Sequence, residues 1–90
     1  MSQFHGLKCW PEPFRALCDG SKTHEIRVND DRDFRVGDRI ELREWKPDGT
    51  GYTGDVLLVE VTYITQGPNF GLPTNIAVMS VARIPLRSGI

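Results

Sequence analysis

The chain predicts a mainly β fold, a small barrel of five strands with one or two short helices. Three observations carry this expectation. Apolar and polar residues alternate over several short runs, which is the period of a strand. Gly- and Pro-containing turns separate those runs, a pattern of barrels and strongly coiled sheets. One stretch alone has helical spacing: Phe14, Leu17 and Cys18 stand at i, i+3 and i+4.

The first strand is expected over residues 4–9. Trp10-Pro11-Glu12-Pro13 then opens a helix, because proline suits a first turn whose N–H groups have no partner. The helix runs from about Pro13 to Asp19. Gly20 takes the position of a left-handed C-terminal cap. The second strand is Lys22–Val28, and Asn29–Asp33 is a charged loop with strong turn chemistry. Phe34-Arg35-Val36 returns toward the core, and Gly37-Asp38 turns tightly, with Asp38 bonding nearby backbone N–H groups. A third strand covers 39–45, followed by the loop Pro47–Gly51. The longest strand, 52–65, is apolar on both sides, as in a central strand or one that bends through a barrel. Leu57, Val59, Val61 and Tyr63 form one of its faces. A Gly/Pro loop carrying Phe70 leads to the last strand, 76–84, and Arg83, Arg87 and the final residues are expected to fray.

Ninety residues make one domain, residues 1–90. A chain of this size buries only about 60–65% of its unfolded surface, so every strand must add to a thin core. Apolar residues make up 39% and charged residues 26%, a globular balance. Net charge is −1, which excludes a globally basic nucleic-acid binder. An anion site must then be a local cluster of Lys and Arg. Cys9 and Cys18 are too few for a disulfide scaffold. No apolar run reaches the ~18–20 residues of a membrane span, and no signal peptide is read. The expected location is cytoplasmic, with no membrane partner.

The most informative stretch is Gly20-Ser21-Lys22-Thr23-His24-Glu25-Ile26-Arg27. On a strand, His24, Ile26 and Val28 share one face, while Thr23, Glu25 and Arg27 share the other. If Ile26 and Val28 face the core, Glu25 and Arg27 stand side by side on the opposite surface, and His24 is a partly buried imidazole. Two readings are open. The charges form a solvated pair worth ~0–1 kcal/mol, or they form a polar site. As a site, the cluster suits a nucleotide. Lys22 offers a point charge to phosphate. Arg27 offers a planar fork to phosphate or a base edge. Glu25 accepts from an exocyclic amine. Lys8 joins them if the first two strands are neighbours. Trp10, Tyr52, Tyr63 and Phe70 are candidates to stack on an unpaired base, with Trp10 and Phe70 favoured by their loops.

These residues resemble a known family. Gly20-x-Lys22-x-x-Glu25-x-Arg27 is similar to the G-x-K-x-x-E-x-R signature of ASCH domains, small β-barrels of the PUA-like superfamily. Leu7-Lys8, Pro13-Phe14, Phe34-x-Val36-Gly37-Asp38, Trp45, Tyr52-Thr53-Gly54, Val61–Ile64 and Val78-Met79-Ser80 continue the likeness over nearly the whole chain. The pattern looks like a small prokaryotic and phage branch of unknown function. The resemblance implies a PUA-like barrel with a cleft beside the signature strand. It also implies an association with RNA and modified nucleotides. Some ASCH relatives are amidohydrolases acting on acylated cytidine, and others have been proposed as ribonucleases or RNA binders.

Three functions follow as expectations. The first is an RNA- or nucleotide-binding module using Lys8, Trp10, Lys22, Glu25, Arg27 and Phe70. The second is a small hydrolase of a modified nucleoside using Lys22, Thr23, Glu25 and Glu60. That alternative lacks its usual nucleophile: the amidohydrolase relatives carry Lys-x-x-Thr, and Glu25 stands at the threonine position. Glu25 as general base toward water is the remaining route. The third is a protein-interaction module presenting Phe70 and Trp45 to a protein partner. No cofactor is expected. His5, His24, Cys9 and Cys18 lack the spacing of a zinc site, and the aspartates of 29–33 read as solvated turn acids, so no metal is expected. Cys9 as nucleophile with His5 as base is the weakest of these ideas.

Overall fold

A computed structural model describes residues 2–29 and 32–85. Asp30 and Asp31 of the charged loop and the Arg87 end lie outside the described residues. The elements are β1 (Phe4–Cys9), α1 (Pro11–Asp19), β2 (His24–Val28), β3 (Arg39–Lys46), β4 (Gly51–Gln66), a 3₁₀ turn (Asn69–Gly71) and β5 (Ile76–Arg83). They form one five-stranded sheet in the order β1-β3-β4-β5-β2. β1 runs parallel to β3, and every other pairing is antiparallel. The sheet curls into a half-barrel whose two edge strands, β1 and β2, approach one another along a seam.

Helix α1 starts earlier than the spacing suggested, with Pro11 in its first turn and extended Trp10 before it. Gly20 ends it at φ 86°, the left-handed conformation open to glycine at low cost. Phe14 and Leu17 enter the core, while Cys18 packs half-buried at its margin. Leu7 and Cys9 of β1, Ile40 and Leu42 of β3, Val59 and Val61 of β4, and Ala77 and Met79 of β5 complete the interior. Each fully buried large aliphatic side chain contributes about 1.5–3 kcal/mol. Phe34 is buried without belonging to a strand.

Strand β2 is turned the opposite way from the sequence expectation. Glu25 lies opposite Met79 and Arg27 opposite Ala77, and both partners are core residues. Directly opposed residues in an antiparallel pair share a face, so Glu25 and Arg27 point inward. Ile26 is 53% exposed, and Val28 and His24 are exposed with it. The long strand departs from simple alternation too. The register slips between Val61 and Tyr63, so Tyr63 faces solvent instead of following Val59 and Val61 inward.

The tight turn before β3 is built around Asp38, which is fully buried. Its carboxylate accepts from the backbone N–H of Gln3 (2.8 Å) and of Arg35 (3.0 Å) and lies 2.8 Å from His5 Nε2. The His5 ring packs on Phe34, with centroids 4.6 Å apart. Burial alone would raise the Asp38 carboxyl, but these donors outweigh it and hold it below its ordinary 3.8. No helix among the described residues is long and apolar enough to cross a membrane.

Asp38→Asn is expected to lower stability at neutral pH by about 1.5–3 kcal/mol. The native carboxyl is the stronger acid, so its stabilisation is complete above about pH 4 and disappears as pH falls through the folded value. Urea unfolding at pH 7 and at progressively lower pH should show the two midpoints converging in acid. A gap that stays constant with pH would rule out the ionised Asp38 carboxylate as its cause.

Candidate functional site

The site lies on the seam, where α1 hands the chain to β2. Lys22 N–H donates to Ala16 O (3.0 Å), which fastens the segment before β2 to the helix end. Glu25 is 4% exposed, and its two oxygens are divided between two cations. Arg27 Nε donates to Oε2 at 2.6 Å, and Lys22 Nζ sits 3.4 Å from Oε1. Lys22 Nζ also donates to the His24 carbonyl at 2.7 Å. A carboxylate taken this far from water persists because its charge is matched and its lone pairs are used.

Arg27 does a second thing. Its Nη2 donates to the Lys8 carbonyl at 2.6 Å, from one edge strand to the other. No backbone ladder joins β1 to β2 among the described residues. The Glu25–Arg27–Lys8 relay is therefore a side-chain clasp across the seam. The Lys8 side chain leaves on the outer side, with its ammonium 4.4 Å from the Trp45 ring centroid. That contact makes Trp45 a half-buried surface residue rather than part of the core.

Two cavities flank the clasp, and both use Lys8, Ile26 and Arg27 as wall. The smaller, about 280 Å³, adds Cys9, Trp10, Pro13, Lys22 and Glu25. The larger, about 750 Å³, extends along the seam past Gly6, Val28, Arg32, Arg43 and Tyr52.

Of the residues expected from sequence, Lys8, Trp10, Lys22, Glu25 and Arg27 come together around the smaller cleft. Phe70 does not join them. It is 91% exposed in the β4–β5 connection and lines neither cavity. Thr23 is exposed, and its carbonyl accepts from Val81 N–H. Glu60 sits between the inward-facing Val59 and Val61, so it lies on the other side of the sheet from Glu25. The structure thus does not gather Lys22, Thr23, Glu25 and Glu60 into one constellation.

Arg32, Arg43 and Tyr52 line the larger cavity; Tyr52 was among the stacking candidates, but the sequence had not grouped Arg32 and Arg43 with the signature. The signal for Arg43 was its outward face on the third strand, but only the parallel β1–β3 pairing sets it opposite Lys8. Glu44 is a second buried carboxylate outside the expected set. It lies opposite Cys9 and accepts from Thr53 Oγ1 at 2.8 Å. Among the described residues, no three His, Cys, Asp or Glu side chains gather closely enough to hold a metal ion. Burial, with Glu25 adding to it, pushes the Cys9 thiol up to about 11. It is protonated at neutral pH, which deprives it of nucleophilic character. His5, its imagined base, is engaged with Asp38.

A curled β half-barrel with a polar cleft on its seam is the class of protein that this fold and site define. Residues 4–81 match the family described as a domain of unknown function, DUF3850, and the chain belongs to that family. No curated protein gives a significant match to it.

The clasp makes a direct prediction. Arg27→Met should lower stability by about 2–3 kcal/mol, because Glu25 is left buried with Lys22 alone. The same change should loosen the seam and expose Cys9. Iodoacetamide at pH 8, followed by mass spectrometry, should label Cys9 much faster in the variant than in the wild type. Equal labelling rates and equal melting temperatures would show that the seam is closed by something else.

Proposed function

We propose that this protein is an ASCH-type, PUA-like binding module for single-stranded RNA or a nucleotide, held in the cleft between β1 and β2. The observation that carries this reading is the concentration of Lys8, Lys22 and Arg27 at one cleft of a chain whose net charge is −1. Three cations facing one buried carboxylate leave a local positive excess, which is what a phosphate requires. Trp10, 59% exposed at the mouth of that cleft, supplies a stacking surface.

The buried geometry refines the roles. Lys8 and Lys22 meet the phosphate as compact ammonium charges. Arg27 has its Nε committed to Glu25 and one Nη2 proton to Lys8 O, so Nη1 and the second Nη2 proton are left for a ligand. Glu25 orients Lys22 and Arg27, and only a lone pair not already taken is open to a base edge. A cytoplasmic setting suits such a module. Hydrolysis of a modified nucleoside finds less support, since Glu60 stands on the opposite face of the sheet.

Titration of short RNAs and nucleoside monophosphates, followed by tryptophan fluorescence, tests the proposal. Binding should quench Trp10 and weaken as salt rises, by about 0.7 log units per phosphate contact for each tenfold increase. Lys22→Ala should cost about 5- to 30-fold in affinity, as expected for a charge-assisted contact of about 1–2 kcal/mol. Affinity unchanged in both Lys22→Ala and Arg27→Ala would place any binding elsewhere.

A further inference from the structure

We infer that the seam carries two ligand subsites, and that its occupant is an oligonucleotide of at least two nucleotides, with an internal phosphodiester seated at Lys8 and Arg27. This rests on the nucleotide-binding reading above and narrows it. The two cavities are one groove divided by a strap, the Arg27 guanidinium bonded to the Lys8 carbonyl. A group lying over that strap has a cavity on either side. Lys8 and Arg27 border both, so an anion there is shared by both subsites.

The larger cavity has its own recognition chemistry. Lys8, Arg27, Arg32 and Arg43 line it, with no carboxylate among the described lining residues. Arg43 is held in place. Its Nε donates to Glu41 Oε1 at 2.8 Å, and its guanidinium packs against Gly6. A Cβ at Gly6 would stand 2.5 Å from Arg43 Nη2, so the missing side chain is what lets the guanidinium settle against β1. Tyr52, 54% exposed, stands across the β3–β4 ladder from Trp45 and presents a ring at the cavity wall. A ring beside fixed guanidinium groups is the pairing that holds a stacked base and its phosphate. At about 280 Å³ the smaller cleft lies at the lower limit of ligand pockets, while the larger falls well inside that range. Single-stranded nucleic acid fits this alternation of cation and ring because each nucleotide repeats the same anion and the same π-face.

Isothermal titration calorimetry with nucleoside monophosphates and the four homodinucleotides of RNA tests the inference on the full chain. At least one dinucleotide should bind about 10-fold or more tightly than its monophosphate. Tyr52→Ala and Arg43→Ala should each weaken that dinucleotide, Tyr52→Ala by roughly 5- to 100-fold, and leave the monophosphate unchanged. Lys22→Ala should weaken both ligands. Dinucleotides no tighter than monophosphates, or dinucleotide affinity indifferent to Arg43→Ala and Tyr52→Ala, would overturn the second subsite and leave the first standing. No binding by any of these probes would overturn both readings together.

Discussion

The contact on which the rest depends is the hydrogen-bond relay from Glu25 through Arg27 to the Lys8 carbonyl. The sheet has two edges and does not close by backbone pairing between them. Unpaired edges that face each other must be satisfied in some other way, and here a guanidinium spans the gap. The guanidinium is aimed by Glu25, and Glu25 is tolerable in the interior because Arg27 and Lys22 neutralise it. Each member therefore requires the others. Arg27 of this group also forms, with Lys8 and Ile26, the wall shared by the two cavities.

This arrangement reconciles the structural and the ligand-binding accounts of the signature. An ion pair that holds a seam is a structural device, but it is also a set of oriented donors left beside solvent-accessible space. The carboxylate fixes the geometry, and the cations retain hydrogen-bonding capacity toward the groove. With 12 acidic residues against 11 basic ones, the chain has no global field to attract a polyanion. Lys8, Lys22 and Arg27 concentrate positive charge on this strip, where the field of a few cations beside low-dielectric walls is felt over short distances.

Much of the fold was legible in the sequence because its strands obey local rules. Pro11 and Gly20 bracket the helix, and the alternation in 39–45 marks β3. Asp38 was readable as a turn residue, although its contact with His5, far away in the chain, was not. The facing of β2 escaped because hydrophobicity is a poor guide on an edge strand. Ile26 and Val28 lie outside, while the buried positions hold a charge pair whose compatibility with the interior depends on its partners. Tyr63 was misassigned because a bulge after Val61 changes the phase of β4, and no single residue announces it. Arg43 stayed hidden as a neighbour of the signature because its proximity to Lys8 follows from strand order, which local spacing does not encode.

The pairing of β4 has one more consequence. Its first half is bonded to β3 and its second half to β5, and both partners meet it together only around Val59 and Glu60. Flanking bonds from Ile84 to Leu58 and between Val61 and the Gly37–Asp38 turn thicken the junction. The two halves of the one sheet, each a small β-layer, thus join through a short double-bonded segment of a single strand. Slow amide exchange should concentrate in that segment, and breathing of one layer against the other would widen or narrow the gap on the far side, where β1 and β2 face each other.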